Sequence, residues 1–367
     1  MKNTFSAYAP LPEADLARIW KSGLIVLDAN VLLNLYCYSP STRDDLLERL
    51  GSVTDRLWLP HQAGAEFYMG RPRVIAQQRT KCDEALKALD QTLKAFYSDT
   101  SHPFVSKELR TRLEQAQVAL QKEVKSAQQA LAKMLTKDDP ILARVLALFD
   151  GRVGAAPTKE QLEALYAAAA TRYKYRIAPG FADDSKPDER KYGDFVLWQQ
   201  MIQQARVRKM PILFVTDDTK DDWWWEAPDR RALPALRVEM QRESGQSLQM
   251  YETLVFTREA KTRLNWKVKE HTLKEISESA AEARKLVDAY QAEFDRLRLL
   301  NVTSTGLGNL THLVDFDRSD IRSTIEAATR YASLTGVGTP MPLFFGTGHL
   351  KPGTAPPAAP PTEESSS

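Results

Sequence analysis

Gly23-Leu24-Ile25-Val26-Leu27-Asp28-Ala29-Asn30 sets the reading of the whole chain. Leu24 to Leu27 is a short, unbroken apolar run with β-branched Ile25 and Val26 inside it. Such a run has the character of a strand buried on both faces of a parallel sheet. It stops abruptly at Asp28, with Asn30 shortly after. A carboxylate at that position is costly to bury without a positive neighbour. The carboxyl ends of strands are also where open α/β sheets bind ligands. Asp28 therefore reads in two ways, as a capped loop residue or as one wall of a cation site.

Working outward, the pattern repeats. Leu57-Trp58-Leu59 is a second short strand closed by Pro60, and a helix from His61 to Ala63 onward carries Glu66 in its early turns. Pro211 opens the clearest strand, Ile212 to Thr216, which ends in Asp217-Asp218. Before it, Gly193-Asp194 opens a helix with Phe195, Trp198, Ile202 and Ala205 on one side. A helix near Leu233 to Ser244 and a strand near Leu248 to Tyr251 complete the alternation. Upstream lie a short helix near Glu13 to Lys21 and another through Asp44, Leu46, Leu47 and Leu50. Ser39 or Ser41 can cap the latter, and Gly51 stops it. This order predicts a three-layer α/β/α fold around a central parallel sheet.

A long helical insertion interrupts it. Cys82, Leu86, Leu89, Leu93 and Phe96 recur at steps of four and three. After a break at His102-Pro103, Leu109, Leu113, Ala116, Leu120, Ala127, Leu131 and Met134 continue the stripe. Two such stripes predict an antiparallel helical hairpin. Helices over about Ile141 to Phe149 and Lys159 to Tyr173 follow, then a polar loop at 179–192 holding Asp183, Asp184, Lys186, Asp188 and Glu189. Beyond about 262, Leu273, Ile276, Ala280, Ala283, Val287, Tyr290, Phe294 and Leu297 keep a heptad rhythm. That predicts a C-terminal helical extension, either packed on the core or paired with a second copy as a homo-oligomer. A short helix is expected over Asp320 to Ala332. The Pro-, Ala- and Ser-rich tail from 346 is expected to be disordered. The expected division is an approach segment at 1–22, a core at 23–260 with its insertion at about 74–176, an extension at 261–345 and the tail at 346–367.

Composition narrows the function classes. A hydrophobic content of 43% with 27% charged residues fits a globular protein. A net charge of +2 means that any nucleic-acid surface must be a local patch. No apolar run approaches a membrane span, and the N-terminus lacks a signal-peptide core. Cys37 and Cys82 form no C-x-x-C and no disulfide framework, so a cytoplasmic location is expected. The histidines do not pair at zinc-ligand spacing, and P-loop, dinucleotide and nucleophile-elbow signatures are missing.

What remains is acidic. Asp28 and Asp217-Asp218 each follow a strand, and Glu66 and Asp194 enter helices beside strands. Parallel strands bring these ends to one edge. Gathered carboxylates repel one another unless a cation neutralises them. Hard oxygen ligands without His or Cys suit Mg²⁺ or Mn²⁺. Two such ions about 3.5–4 Å apart are the usual apparatus for in-line attack of water on a phosphodiester, and one or two are expected here. Each acid taken singly also reads as a cap, a turn residue or an exposed helix position.

The motifs Leu27-Asp28-Ala29-Asn30-Val31-Leu32-Leu33, Leu59-Pro60-His61-Gln62 with Glu66-Phe67, Tyr192-Gly193-Asp194-Phe195-Val196-Leu197-Trp198 and Phe214-Val215-Thr216-Asp217-Asp218-Thr219-Lys220-Asp221-Asp222-Trp223-Trp224 resemble, as a set, the PIN-like nucleases. The likeness is strongest to the large bacterial branch with a helical insertion, formerly a domain of unknown function. It covers about 23–260, including Pro179-Gly180-Phe181 and Lys186 ahead of the third acid. The resemblance implies a metal-dependent phosphodiesterase in which Asp28, Glu66 and Asp194 match the first three acids. The fourth is open: Asp217 follows Thr216 directly, whereas the family's Thr-x-Asp spacing selects Asp218. Asn30 matches a small polar residue that orients the first acid or a metal-bound water. The long gap between Glu66 and Asp194 sets this chain apart from the small PIN toxins.

Several neighbours carry two readings. Trp223, Trp224 and Trp225 are either a stacking platform for an unpaired base or rings that seal the sheet edge. Lys186, Lys220, Arg71 and Arg73 either bind phosphates or lie on a solvated face. Asp221 and Asp222 either support a metal ligand or are solvated loop acids, and Thr216 stands beside the fourth acid. The expected function is a Mg²⁺- or Mn²⁺-dependent endonuclease with RNA put ahead of DNA as substrate and no membrane partner. A toxin-like role in phage defence and a catalytically silent scaffold assembling through the helix at 273–297 are the rival readings.

Overall fold

The computed structural model describes residues 1, 5–97, 104–186, 188–225, 230–282 and 284–285. Helix α1 (Glu13–Ser22) runs into strand β1 (Leu24–Leu27), in which every residue is buried. Gly23 makes the join possible, because a Cβ there would lie 2.4 Å from the Ile19 carbonyl oxygen. Helix α2 (Ala29–Asn34) starts directly after Asp28, a helix the sequence pattern did not signal. In α3 (Pro40–Gly51), Ser39 is the cap and accepts the Thr42 N–H, with Pro40 at the first turn. Gly51 is the last residue of this helix rather than the residue beyond it.

Strand β2 (Leu57–Trp58) is one residue shorter than expected, because Leu59 pairs separately with Val153 in an isolated parallel bridge. Helix α4 (His61–Lys94) carries Glu66 and continues unbroken through Pro72 into the first arm of the hairpin. Its 34 residues make a rod about 50 Å long. Helix α5 (Lys107–Thr136) packs back along it. The stripe of α4 is as expected, with Leu93 buried and Cys82, Leu86, Leu89 and Phe96 half-buried. The stripe of α5 is not. Leu109 and Leu120 are 46% and 45% exposed, and Ala116 and Ala127 are exposed too. The half-buried face of α5 instead includes Leu113, Gln117, Val124, Gln128 and Leu131. The reason is polar pairing across the seam: the Gln128 side chain donates to Asp83 at 2.6 Å and that of Gln117 to Asp90 at 3.4 Å.

Helices α6 (Pro140–Phe149) and α7 (Lys159–Lys174) lead to α8 (Gly193–Arg208) and strand β3 (Ile212–Val215). A two-stranded antiparallel ribbon, β4 (Trp224–Trp225) with β5 (Arg231–Ala232), precedes α9 (Pro234–Ser244). Strand β6 (Leu248–Tyr251) and helix α10 (Thr253–Arg263) complete the core. The main sheet has the order β2-β1-β3-β6, and every pairing in it is parallel. With helices packed about it, the architecture is the three-layer α/β/α expected. The chain leaves β1 for β2 on one side and reaches β3 on the other. A crevice therefore opens between the carboxyl ends of β1 and β3, the switch point at which such sheets bind ligands.

Residues 270–282 are helical and pack on the core domain rather than standing away from it. Ile276 is buried, Thr272 donates to Asp45 at 2.9 Å, and Glu275 accepts from the Ser39 and Thr42 hydroxyls at 2.6 and 2.5 Å. The rest of the heptad stretch, the helix expected at 320–332, the tail and the break at His102-Pro103 lie outside the described residues.

One ion pair ties the helices of the site's far side together. Arg172 in α7 donates to both carboxylate oxygens of Glu239 in α9, at 2.7 and 2.8 Å, and also to the Ala178 carbonyl. Trp198 in α8 donates to the same glutamate at 3.0 Å. Removing the cation leaves a nearly buried carboxylate with one neutral donor, a change that typically costs about 3–5 kcal/mol. Arg172→Ala is expected to lower unfolding stability by about 3 kcal/mol, read as the shift in urea midpoint at constant slope.

Candidate active site

Asp28 closes β1 and caps α2. Its Oδ1 accepts the Ala29 N–H at 2.7 Å, and its Oδ2 accepts from the Thr216 hydroxyl at 2.6 Å and the Asn30 amide at 2.8 Å. The capping reading of this residue is therefore met, and the same carboxylate stands at the carboxyl edge of the sheet. Asn30 also receives the Asp217 backbone N–H on its Oδ1 at 3.0 Å, which locks the end of β3 to the start of α2.

The Asp217-Asp218 pair divides. Asp217 accepts from Thr253 through both its N–H and its hydroxyl, at 2.9 and 2.8 Å, and from the Asn34 amide at 2.9 Å. It thus does for α10 what a cap residue does, and its two oxygens are committed there. Asp218 is buried and turns the other way, toward Lys220. The helix that engages Asp217, α10, had no place in the sequence reading.

Glu66 accepts from the Gln62 side chain at 2.7 Å, one helical turn earlier. It lies against the start of α8, where a Cβ on Gly193 would come within 2.6 Å of its Oε1. Gly193 is thus the residue that lets a carboxylate approach the helix carrying Asp194. Asp194, in the first turn of α8, accepts from Lys220 Nζ at 2.6 Å and from the Trp223 indole at 3.4 Å.

Lys220 stands at the junction. Its Nζ lies 2.6 Å from Asp194, 2.9 Å from Asp218 and 3.0 Å from Asp183. Asp183 is a buried acid that sequence reasoning passed over within a polar loop; it also pairs with Lys186 at 2.7 Å. Asp222 is fully buried as well, and its Oδ2 accepts the backbone N–H groups of Gly180 and Ala182 at 2.7 and 2.9 Å. It therefore fastens the loop that presents Asp183. The remaining oxygens, Asp183 Oδ1 and Asp222 Oδ1, are buried without a hydrogen-bond partner.

The electrostatics follow from crowding. Burial, then the charge of Glu66, push the Asp28 carboxyl up to about 8 against the pull of the Thr216 hydroxyl, with Asp194 and Asp218 adding to the rise. Burial pushes Glu66 up to about 7, with Asp194 adding to it, while Gln62, Lys186 and Lys220 oppose it. Burial would raise Asp194 too, yet Lys220 and Lys186 outweigh it and hold this acid below the usual range. Lys220 shows the converse: burial works against its charge, and Asp194, Asp218 and Asp183 keep it firmly protonated.

The geometry brings Asp28, Glu66, Asp194 and Asp218 within reach of one another's charge at the carboxyl edge of a parallel sheet. A family model described as a PIN like domain matches residues 24–240, more than half of the chain. The chain belongs to the PIN-like domain family. Proteins of this family are generally nucleases. No curated protein and no solved structure matches the chain.

Within this PIN-like domain, the other candidates fall as follows. Trp223 and Trp224 are buried, Trp223 against Phe214 and Trp198, so neither offers a face to a base. Trp225 is half-buried with Tyr8 edge-on to it at 5.3 Å. Arg71 is drawn away to Asp139 at 2.6 Å, which also accepts from the Tyr36 hydroxyl. Arg73 is exposed on α4, and so is Asp221 in its loop. Among the described residues, no three His, Cys, Asp or Glu side chains are gathered tightly enough to hold a metal ion as they stand. The chemistry of the donors nonetheless fits a hard divalent cation: the set is all carboxylate oxygen, and its like charges repel. The cradle beside Gly193 also admits Glu66.

Asp217 and Asp218 are separable by experiment. Asp217→Ala removes the acceptor of the Thr253 N–H, and loss of a cap typically costs about 0.5–2 kcal/mol. This variant is expected to lose amide protection in the first turn of α10, whereas Asp218→Asn, which meets Lys220 instead, should leave that protection unchanged. Hydrogen exchange of the two variants checks the difference.

Proposed function

We propose that this chain is a metal-dependent endonuclease that hydrolyses phosphodiester bonds of nucleic acid. The observation that carries the reading is the convergence of Asp28, Glu66, Asp194 and Asp218 at the switch point between β1 and β3. Membership of a family whose proteins are generally nucleases supports it. The oxygen ligands of Mg²⁺ or Mn²⁺ would come from among these acids. When bound, such an ion lowers the pKa of its water and offsets charge on the phosphate.

The chain's own residues supply the rest. Thr216, Asn30 and the Ala29 N–H fix the Asp28 carboxylate from three sides, so its orientation is set before any ligand arrives. Gln62 orients Glu66 from the same helix. Lys220 holds Asp194 and Asp218 in place. Such preorganisation is what allows a site to act on developing charge without rearranging. No described helix is long and apolar enough to cross a membrane, and Cys37 and Cys82 are free thiols, which is consistent with a reducing compartment such as the cytoplasm.

Asp28→Asn, Glu66→Gln, Asp194→Asn and Asp218→Asn are each expected to reduce cleavage by about 10²-fold or more, the loss usual for one member of a charge-stabilising set. The assay is digestion of single-stranded and structured RNA and DNA with Mg²⁺ or Mn²⁺ against EDTA. Undiminished cleavage by the Asp28 and Asp194 variants, or full activity in EDTA, would sink the assignment.

A pH dependence follows from the raised carboxyls. A group whose folded pKa exceeds its ordinary value binds its proton more tightly in the fold, so the stability it lends falls as pH climbs toward that folded value. For Glu66 and Asp28 this loss runs from the ordinary carboxylate range up to about 7 and about 8. A metal must displace those protons. Mg²⁺ is therefore expected to raise the melting temperature more at pH 8 than at pH 6. Equal increments at both values would contradict a site built on these two acids.

A further inference from the structure

We propose that Lys220 is a resident second cation, so that the centre takes one divalent ion rather than two. The inference rests on the nuclease reading above and concerns how its charge is arranged. In two-metal phosphodiesterases the ions sit about 3.5–4 Å apart and share carboxylates between them. Here the position between Asp194 and Asp218 is already filled by an ammonium group. Lys220 Nζ lies 2.6 Å from one and 2.9 Å from the other, and 3.0 Å from Asp183.

Several features mark this as a built pocket rather than a stray contact. An ammonium has three N–H donors; Asp194 and Asp183 accept from it here, and Asp218 pairs with its charge at 2.9 Å. The Lys220 side chain is only 9% exposed. Its own backbone N–H also donates to Asp218 Oδ1 at 2.9 Å, so both oxygens of Asp218 are tied to the same residue. Asp183, the third acceptor, is held beneath the ammonium by a loop that the buried Asp222 fastens through Gly180 and Ala182. Lys186 reinforces Asp183 from the other side. Three segments of the chain, the loop at 180–186, the start of α8 and the loop at 218–222, thus cooperate to hold one lysine in place.

The other half of the centre is built differently. Asp28 receives bonds from Ala29, Asn30 and Thr216, and Glu66 from Gln62, all of them neutral donors. The single divalent ion belongs on this side, with Asp28 and Glu66, which these neutral donors orient. Lys220 acts through Asp194 and Asp218 and is therefore a positioning residue, one that sets how many ions the carboxylates accept. A lysine suits the task because its charge is compact, unlike the planar fork of an arginine.

The test is the metal count of the full chain, measured by calorimetric titration with Mn²⁺ and by the electron paramagnetic resonance spectrum at saturation. The wild type is expected to bind one Mn²⁺ per chain with a mononuclear spectrum. Lys220→Met is expected to bind two with a spin-coupled spectrum, and Lys220→Arg, which keeps a cation, to remain at one. Two coupled ions in the wild type would overturn the proposal, as would a count of one in a folded Lys220→Met protein. Should Lys220→Met fail to fold, the wild-type count and spectrum decide alone. No Mn²⁺ binding by the wild type would instead remove the nuclease reading itself, which keeps the two failures apart.

Discussion

The parallel pairing of β1 with β3 is the constraint on which the site depends. Leu27 stands opposite Val215 in that register, so Asp28 and Thr216 leave the sheet side by side. The 2.6 Å bond between them is a direct consequence. A shift of one residue would turn every side chain of β1 to the opposite face of the sheet. The fully buried sequences of both strands make such a slip prohibitive, because each residue is packed on two sides. The register that serves the core is therefore also the register that builds the crevice. From the Asp28–Thr216 bond the contacts spread outward. Asn30 ties α2 to the end of β3, and Asp217 ties that end to α10.

Gathering acids at one edge carries an electrostatic cost, and the fold meets it in two ways. Lys220 and Lys186 stand among Asp183, Asp194 and Asp218, and neutral donors orient Asp28 and Glu66. An unpaired buried charge costs several kcal/mol, whereas a paired and hydrogen-bonded one can break even. The two halves of the centre therefore respond oppositely to the same burial. Asp194 is held below the ordinary carboxylate range by its lysines, while Asp28 and Glu66 are driven above it. The division of roles between lysine side and metal side follows from that asymmetry.

Much of this was legible in the chain. The strands at 24, 57, 212 and 248 follow from apolar runs, Asp28 from the charge that ends the first of them, and Glu66 and Asp194 from their places in the early turns of helices beside strands. The remainder was hidden for identifiable reasons. Asp183 sits in an irregular loop among other acids, and only burial distinguishes it from exposed Asp184. The loop's hold on Asp222 is made by backbone N–H groups, which no residue pattern announces. Spacing could not choose between Asp217 and Asp218, because the choice is made by Thr253, far along the chain and brought near by the pairing of β3 with β6. The apolar stripe of α5 misled for a different reason. Its partner face carries Asp83 and Asp90, so glutamines rather than leucines fill part of the seam.

The continuity of α4 joins the site to the insertion in a way a two-part description of that region conceals. Glu66 and the hairpin's first arm belong to one rod, and the rod is anchored at its root by Ala63, Gly64, Phe67, Val74 and Ile75. Beyond that root only Leu93 is buried, and α5 has no buried residue at all. The hairpin therefore gains little of its order from the core and most of it from helix continuity and the seam between its own arms. A helix transmits orientation along its length far better than a flexible loop does. The direction in which the hairpin projects is accordingly fixed by the same turns that aim Glu66 at Gly193. The packing that positions one carboxylate therefore also orients the first arm of the insertion.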